Sequence, residues 1–155
     1  MAGQTVYAKS FGGLPAEWPL REQPSLPPTP ERNSPFPFLS ISHGGGFVSA
    51  GIAKQAIGVD VESATRHLPE EIFIPLFGHT ATAPADRLDH WVATEAYLKQ
   101  KSLPAHTDTL KRHALKPVPT AGRVRLWRTN EYVFGLAAVH GVLEDAVFAH
   151  WGWWG

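Results

Sequence analysis

Cysteine is absent from this chain of 155 residues. Its absence excludes disulfides and thiolate metal sites and makes a cytoplasmic location the expected one. Net charge is absent too, since 14 Lys and Arg balance 14 Asp and Glu. The composition therefore predicts no electrostatic capture of nucleic acid or of an anionic membrane. No apolar run approaches the roughly 18 residues of a membrane span. The N-terminus has no basic region followed by an apolar run, so we expect no secretory signal.

Histidine motifs for metal binding are also missing, although the chain has eight histidines. They form no H-x-H or HExxH pattern and have no cysteine partner, so we expect no histidine metal centre. His90, next to Trp91, is expected on a helix flank or surface. His140 is expected to have a structural role at the end of a strand.

What is present is enough apolar side chain for one folded domain: 43% of residues are hydrophobic and 18% are charged. Eight of the 14 prolines fall between Pro15 and Pro37. Proline fixes φ and lacks an N–H, so residues 1–35 are predicted to be extended and loop-like. Residues 36–155 are predicted to form the domain.

The rest of the chain predicts an α+β fold in which antiparallel strands pack against a long helix. Alternation and turn residues indicate a compact β unit over 38–62, with a turn in the segment HGGG, and proline and glycine signals delimit the helices. A polar connector leads to a hairpin that turns at Asn130-Glu131 and to a last strand ending in HWGWWG. The predicted strands are 38–42, 47–53, 57–63, 123–129, 132–141 and 145–155, and the predicted helices are 69–78 and 84–103.

Two carboxylates stand on one side of the strand IGVDVE. Asp60 and Glu62 are two residues apart, so they project to the same side of a sheet, about 7 Å apart. Like charges at this spacing repel unless a positive group lies between them. The alternative is a solvated sheet face, which by pattern alone is the commoner case.

The long helix carries Trp91, Glu95 and Lys99 at i, i+4 and i+8, so the three share one face. Taken alone, the helix allows a surface Glu–Lys pair. Packed against the strand, Glu95 would join Asp60 and Glu62 as a third hard oxygen donor. Such a set suits Mg²⁺, which usually shares its coordination sphere with a phosphate of the substrate, and Lys99 could neutralise a second phosphate.

These segments together resemble the 4′-phosphopantetheinyl transferases, especially the two-lobed, surfactin-synthetase type. That family shows a Ser-His turn, a Gly-Ile/Val-Asp-Ile/Val-Glu strand and a helix with Trp-x-x-Lys-Glu-x-x-x-Lys. The likeness covers about residues 38–103, through SISHGGGFVSAGIAKQAIGVDVES and HWVATEAYLKQKSL.

The resemblance implies an activity and a role for each matching residue. Asp60, Glu62 and Glu95 match the magnesium-binding acids, and His43, preceded by Ser42, matches the histidine that touches coenzyme A phosphate. Lys99 matches the lysine that contacts the phosphates and assists the leaving group. The implied reaction transfers phosphopantetheine from coenzyme A to a serine of an acyl or peptidyl carrier protein, with Glu95, or a water it orients, as the base.

Four departures from the family pattern bear on activity. Thr94 stands where the family has lysine, and Gly44 where many members have serine. The spacer from Asp60 to Trp91 is short. The first lobe is truncated, so only three basic residues precede His43: Lys9, Arg21 and Arg32.

Two alternatives to an active monomeric enzyme follow from these departures. One is a catalytically degenerate member that binds a carrier protein or a nucleotide. The other is a homodimer in which a second copy supplies the missing wall of the site, as single-lobed members do. The tryptophan-rich C-terminus is expected to pack against its own domain, with self-association as the alternative.

Overall fold

The structure, a computed structural model, describes residues 4–10, 20–21, 29–30, 37–78, 83–113, 124–139 and 147–152. Within these residues, six strands are followed by three helices and then three more strands, a mixed α+β arrangement with antiparallel sheets, as the sequence predicts. The elements in chain order are β1 (Gln4–Ser10), β2 (Leu20–Arg21), β3 (Thr29–Pro30), β4 (Phe38–Gly44), β5 (Phe47–Ala53), β6 (Ile57–Ser63), α1 (Glu70–Phe77), α2 (Pro84–Gln100), α3 (Thr107–His113), β7 (Val124–Arg128), β8 (Tyr132–Ala138) and β9 (Val147–Gly152).

The strands form three antiparallel sheets. The largest has the order β1-β9-β5-β4, a second has the order β6-β8-β7, and β2 pairs with β3. β6 is thus an edge strand of the three-stranded sheet, and β4 is an edge strand of the four-stranded one. The predicted β unit over 38–62 is divided between two sheets, since β4 pairs with β5 whereas β6 pairs with β8.

The two larger sheets bury an apolar layer between them, and α2 covers the other face of the three-stranded sheet. On the inner side, residues of β6 and β8 such as Val59 and Leu136 pack with Ala53 of β5. On the helix side, Ala93 and Ala96 of α2 pack against β7 and β8. β6 is therefore buried on both faces, and any charged side chain on it must find a partner inside the protein.

Helix α2 begins with Pro84 at its first turn and carries Lys99 in its last turn, as its sequence signals predict. α1 is confirmed as well, with Glu70 and Glu71 in its first turn. The predicted polar connector contains a short helix, α3, which packs through Leu110. Of the helices that the structure describes, none combines the length and apolarity that a bilayer crossing requires.

Three further predictions concern the N-terminal segment, the hairpin between β7 and β8, and the C-terminal end of the chain. β1 lies in the segment predicted to be loop-like, yet it pairs with β9 in the main sheet. The hairpin between β7 and β8 is confirmed. His140 and residues 153–155 of the tryptophan-rich tail lie outside the described residues.

Candidate functional site

The site is formed where α2 lies unusually close to β6. A Cβ placed on Gly58 would stand 1.9 Å from the carbonyl oxygen of Ala96 and 2.4 Å from the backbone nitrogen of Gln100. Gly135, opposite Asp60 on β8, gives the same access to Val92. Only glycine permits this approach, which brings the polar side chains of α2 within reach of the acids on β6.

Asp60 and Lys99 meet at this interface. The Lys99 Nζ donates a hydrogen bond of 2.8 Å to Asp60 Oδ1 and another of 2.9 Å to Ser42 Oγ. The Asp60 side chain is 3% exposed, whereas that of Lys99 is 32% exposed. A solvated sheet face is therefore excluded for Asp60, and the ion pair of Lys99 is made with Asp60 of the strand rather than with Glu95 of its own helix.

Glu62 continues the same face of β6 toward the protein surface. Arg66 forms an ion pair with it, and the Arg66 guanidinium lies 5.2 Å from the ring centroid of Trp91 on α2. Burial raises the pKa of the Glu62 carboxyl, the Arg66 charge opposes that rise, and the Asp60 charge adds to it. Arg66 was not among the predicted site residues; its only signal in the sequence is a basic residue in the turn four positions after Glu62.

Glu95 belongs to this group of charges. Burial, followed by repulsion from Asp60 and Glu62, raises the pKa of Glu95 to about 7, while the Lys99 charge acts in the opposite direction. The three predicted acids and Lys99 therefore lie close enough to interact electrostatically. We call Asp60, Glu62, Glu95 and Lys99 the acid–lysine cluster.

Two observations favour a cation at this cluster. The Oδ2 atom of Asp60 is buried and, within the described residues, has no hydrogen-bond partner. Burial, together with repulsion from Asp60 and Glu62, raises the pKa of Glu95 to about 7, and a divalent cation would relieve that repulsion. The chemistry of the donors thus fits Mg²⁺.

The carboxylates of the acid–lysine cluster are not arranged as a formed metal site. In the part of the chain that the structure describes, no group of three or more His, Asp or Glu side chains is arranged to hold a metal ion. Asp60 and Glu62 are each paired with a basic side chain. Cation binding would therefore require the three carboxylates to draw together.

His43 and Ser42, predicted to contact coenzyme A, have different surroundings. Ser42 is buried beside Asp60. His43 follows it on β4, so it projects from the opposite face of the strand, and it is exposed. The structure therefore places Ser42 in contact with the acid–lysine cluster, whereas His43 does not face it.

Two departures from the transferase pattern have a structural explanation. A Cβ on Gly44 would stand 2.5 Å from the Val61 carbonyl oxygen and 2.9 Å from Glu62 Oε2, so serine does not fit there without a shift. Thr94 is fully buried in α2, and within the described residues its hydroxyl has no partner. A lysine at position 94 would have to reach the surface from a fully buried position to keep its charge solvated.

The prediction for His90 is wrong. Its side chain is 2% exposed, and its ring contacts Phe73 and Phe77 edge-on, with centroids 5.6 and 4.9 Å away. Helix α1 covers the flank of α2 that was expected to face solvent. Burial lowers the pKa of His90, which favours the neutral ring that this aromatic setting requires.

Comparison with known proteins adds no identification. No protein-family model matches the chain, and no curated protein matches it at a significant level. The likeness to the 4′-phosphopantetheinyl transferases rests on the motifs and on the residues of the acid–lysine cluster.

Proposed function

We propose that this chain is a 4′-phosphopantetheinyl transferase with that family's fold. Its reaction would be Mg²⁺-dependent transfer of phosphopantetheine from coenzyme A to a serine of an acyl or peptidyl carrier protein. The observation that carries the proposal is the meeting of Asp60 and Lys99, which are 39 residues apart, beside a glutamate whose pKa is raised to about 7.

The proposed chemistry requires a base, cationic groups and a place for the metal. The carrier serine oxygen would form a bond to the β-phosphorus of coenzyme A, the bond from that phosphorus to the oxygen of 3′,5′-ADP would break, and the serine proton would pass to Glu95. Glu95 would accept that proton in its ionised form, which a bound cation would favour by relieving the repulsion from Asp60 and Glu62. Lys99, partly exposed at the edge of the cluster, would neutralise phosphate charge on the leaving group.

Asp60, Glu62 and Glu95 are the residues that would hold Mg²⁺. When bound, the ion would neutralise charge on the pyrophosphate and orient it for in-line attack. Until it binds, the ammonium of Lys99 compensates the charge of Asp60, which explains how a buried aspartate on a strand is tolerated.

The direct test is incubation of the protein with coenzyme A, Mg²⁺ and a panel of apo carrier proteins, followed by intact-mass measurement of each carrier. We expect at least one carrier to gain the mass of phosphopantetheine. Asp60→Asn and Glu95→Gln should abolish that gain, whereas Glu71→Gln, an exposed glutamate on α1, should leave it unchanged. No gain on any carrier, with a known transferase active in parallel, would refute the proposal.

A second candidate function is a binding module without transferase activity. Position 94 holds a fully buried threonine where the family pattern has lysine, so the site has one cation fewer, and this favours the binding module. Calorimetric titration separates the two candidates: coenzyme A binding that needs Mg²⁺ and is lost in Asp60→Ala favours the enzyme. Tight binding of a carrier protein in the absence of coenzyme A favours the module.

A further inference from the structure

The hydroxyl of Ser42 has all of its hydrogen-bonding capacity in use. It donates to Asp60 Oδ1 at 2.8 Å, and it accepts from Lys99 Nζ at 2.9 Å and from the backbone N–H of Val61 at 3.3 Å. A serine hydroxyl has one proton to donate and two lone pairs. The side chain is also buried, so it has neither a free bond nor an exposed atom to offer a ligand.

Ser40, two residues earlier on β4, is a natural comparison. Its hydroxyl accepts a hydrogen bond of 2.9 Å from the backbone N–H of Val59. Both serines therefore satisfy an N–H on the edge of β6 that faces away from its partner strand β8. Among the described residues, only Ser42 also bonds to Asp60 and Lys99.

We propose that Ser42 is a positioning residue that fixes Lys99 and Asp60 relative to each other, rather than a ligand of coenzyme A phosphate. The same hydroxyl bonds to both partners, and the Val61 N–H anchors it to β6. Its effect on transfer rests on the proposed function, whereas its effect on Lys99 does not.

The consequence for Lys99 can be measured without any substrate. Acylation of a lysine requires its nitrogen to reach the reagent, and the hydrogen bonds to Ser42 and Asp60 hold the Lys99 nitrogen inward. We expect trace acetylation of Lys99, followed by peptide mass spectrometry, to be about tenfold faster in Ser42→Ala, the fold-change that loss of one hydrogen bond to a charged group corresponds to. Lys101 and Lys111, both exposed, serve as internal references.

The matched control is Ser40→Ala, which removes an equivalent bond to the edge of β6 but none to Lys99. Its Lys99 labelling should equal that of the wild type, and Ser42→Thr, which retains the hydroxyl, should restore slow labelling. If Ser42→Ala does not fold, Ser42→Cys takes its place, since a thiol is a much weaker partner of similar size. Unchanged Lys99 labelling in the Ser42 variant, or an equal rise in Ser40→Ala, would overturn the proposal.

The transfer assay then distinguishes positioning from ligand binding. A positioning role predicts that Ser42→Ala lowers kcat with the KM for coenzyme A nearly unchanged, while Ser40→Ala changes neither beyond its effect on the folded fraction. A raised KM with constant kcat would overturn the proposal in favour of a phosphate contact. If the wild type transfers nothing, the proposed function fails, and the labelling result alone decides the role of Ser42.

Discussion

The ammonium of Lys99 lies 2.8 Å from Oδ1 of Asp60, across the interface between α2 and β6. Asp60 is almost fully buried and Lys99 only partly, so the lysine reaches inward from the protein surface to a carboxylate that water does not reach. This ion pair links the helix to the strand, and it compensates the charge of the buried carboxylate.

Lys99→Met should therefore destabilise the protein, because it leaves Asp60 buried without its cation. We expect a loss of about 1–3 kcal/mol in the free energy of unfolding, below that of fully buried pairs since Lys99 is partly solvated. Lys101→Met, which removes an exposed lysine just beyond the helix end, should cost less than about 0.5 kcal/mol. Urea unfolding measures the free energy of unfolding of both variants. Equal losses would mean that the contact of Lys99 with Asp60 stabilises the protein no more than an exposed lysine does.

Glu95→Gln should change how stability depends on pH. The folded chain raises the pKa of Glu95 from 4.5 to about 7, so it holds the proton more tightly than the unfolded chain does. Ionisation of Glu95 therefore destabilises the folded chain. This loss of stability grows as pH rises between the two values and is complete above them. The variant should gain stability over the wild type at about pH 8 and little at about pH 4.

The control for this measurement is Glu71→Gln, an exposed glutamate on α1. Its stability should follow that of the wild type in parallel over the whole pH range. If Glu95→Gln also runs parallel to the wild type, Glu95 does not interact with the other acids as described.

Protonation of His90 should weaken the packing of α1 against α2. Its pKa is lowered from 6.5 by burial, so below about that pH the unfolded chain takes up a proton that the folded chain resists, and stability falls as pH falls. His90→Leu should flatten this loss between about pH 7 and pH 5, and His67→Leu, at an exposed position, should not. The measurement is best made with Glu95→Gln in all variants, because protonation of Glu95 raises stability as pH falls whereas protonation of His90 lowers it. A stability that does not change with pH while His90 is intact would contradict the prediction.

Gly58→Ala should force α2 away from β6. The added methyl would meet two backbone atoms within 2.4 Å, and backbone cannot move aside as a flexible side chain can, so we expect a loss of about 3 kcal/mol or more. Gly46→Ala is the control: it has a positive φ of 84° but open space around it, so it should cost only about 1 kcal/mol in backbone strain. Thermal unfolding compares them, and similar losses would show that the close approach is not critical.

Much of the local structure follows from the sequence. Alternation predicted strands β4 to β9 but not β1, and the proline and charge signals placed α2 within a few residues of its ends. Three sequence motifs also identified the residues of the acid–lysine cluster, since positions 60 and 62 share one face of a strand and positions 95 and 99 share one face of a helix.

The parts that could not be predicted depend on tertiary contacts. The burial of His90 requires α1 to fold over α2, and a helix pattern does not show which flank a later neighbour will cover. β6 pairs with β8 although β5 is nearer in sequence. Arg66 and the hydroxyl of Ser42 join the cluster only because the edge of β4 and the turn after β6 meet there.

The most direct test of the proposed site is a crystal structure of the protein grown with coenzyme A and Mn²⁺, a substitute for Mg²⁺ whose anomalous signal identifies the ion. We expect one anomalous peak between Asp60 and Glu95, with the coenzyme A pyrophosphate bound to it. Well-ordered coenzyme A without a peak at these acids, or an anomalous peak elsewhere with Lys99 still bonded to Asp60, would contradict the proposed role of the acid–lysine cluster.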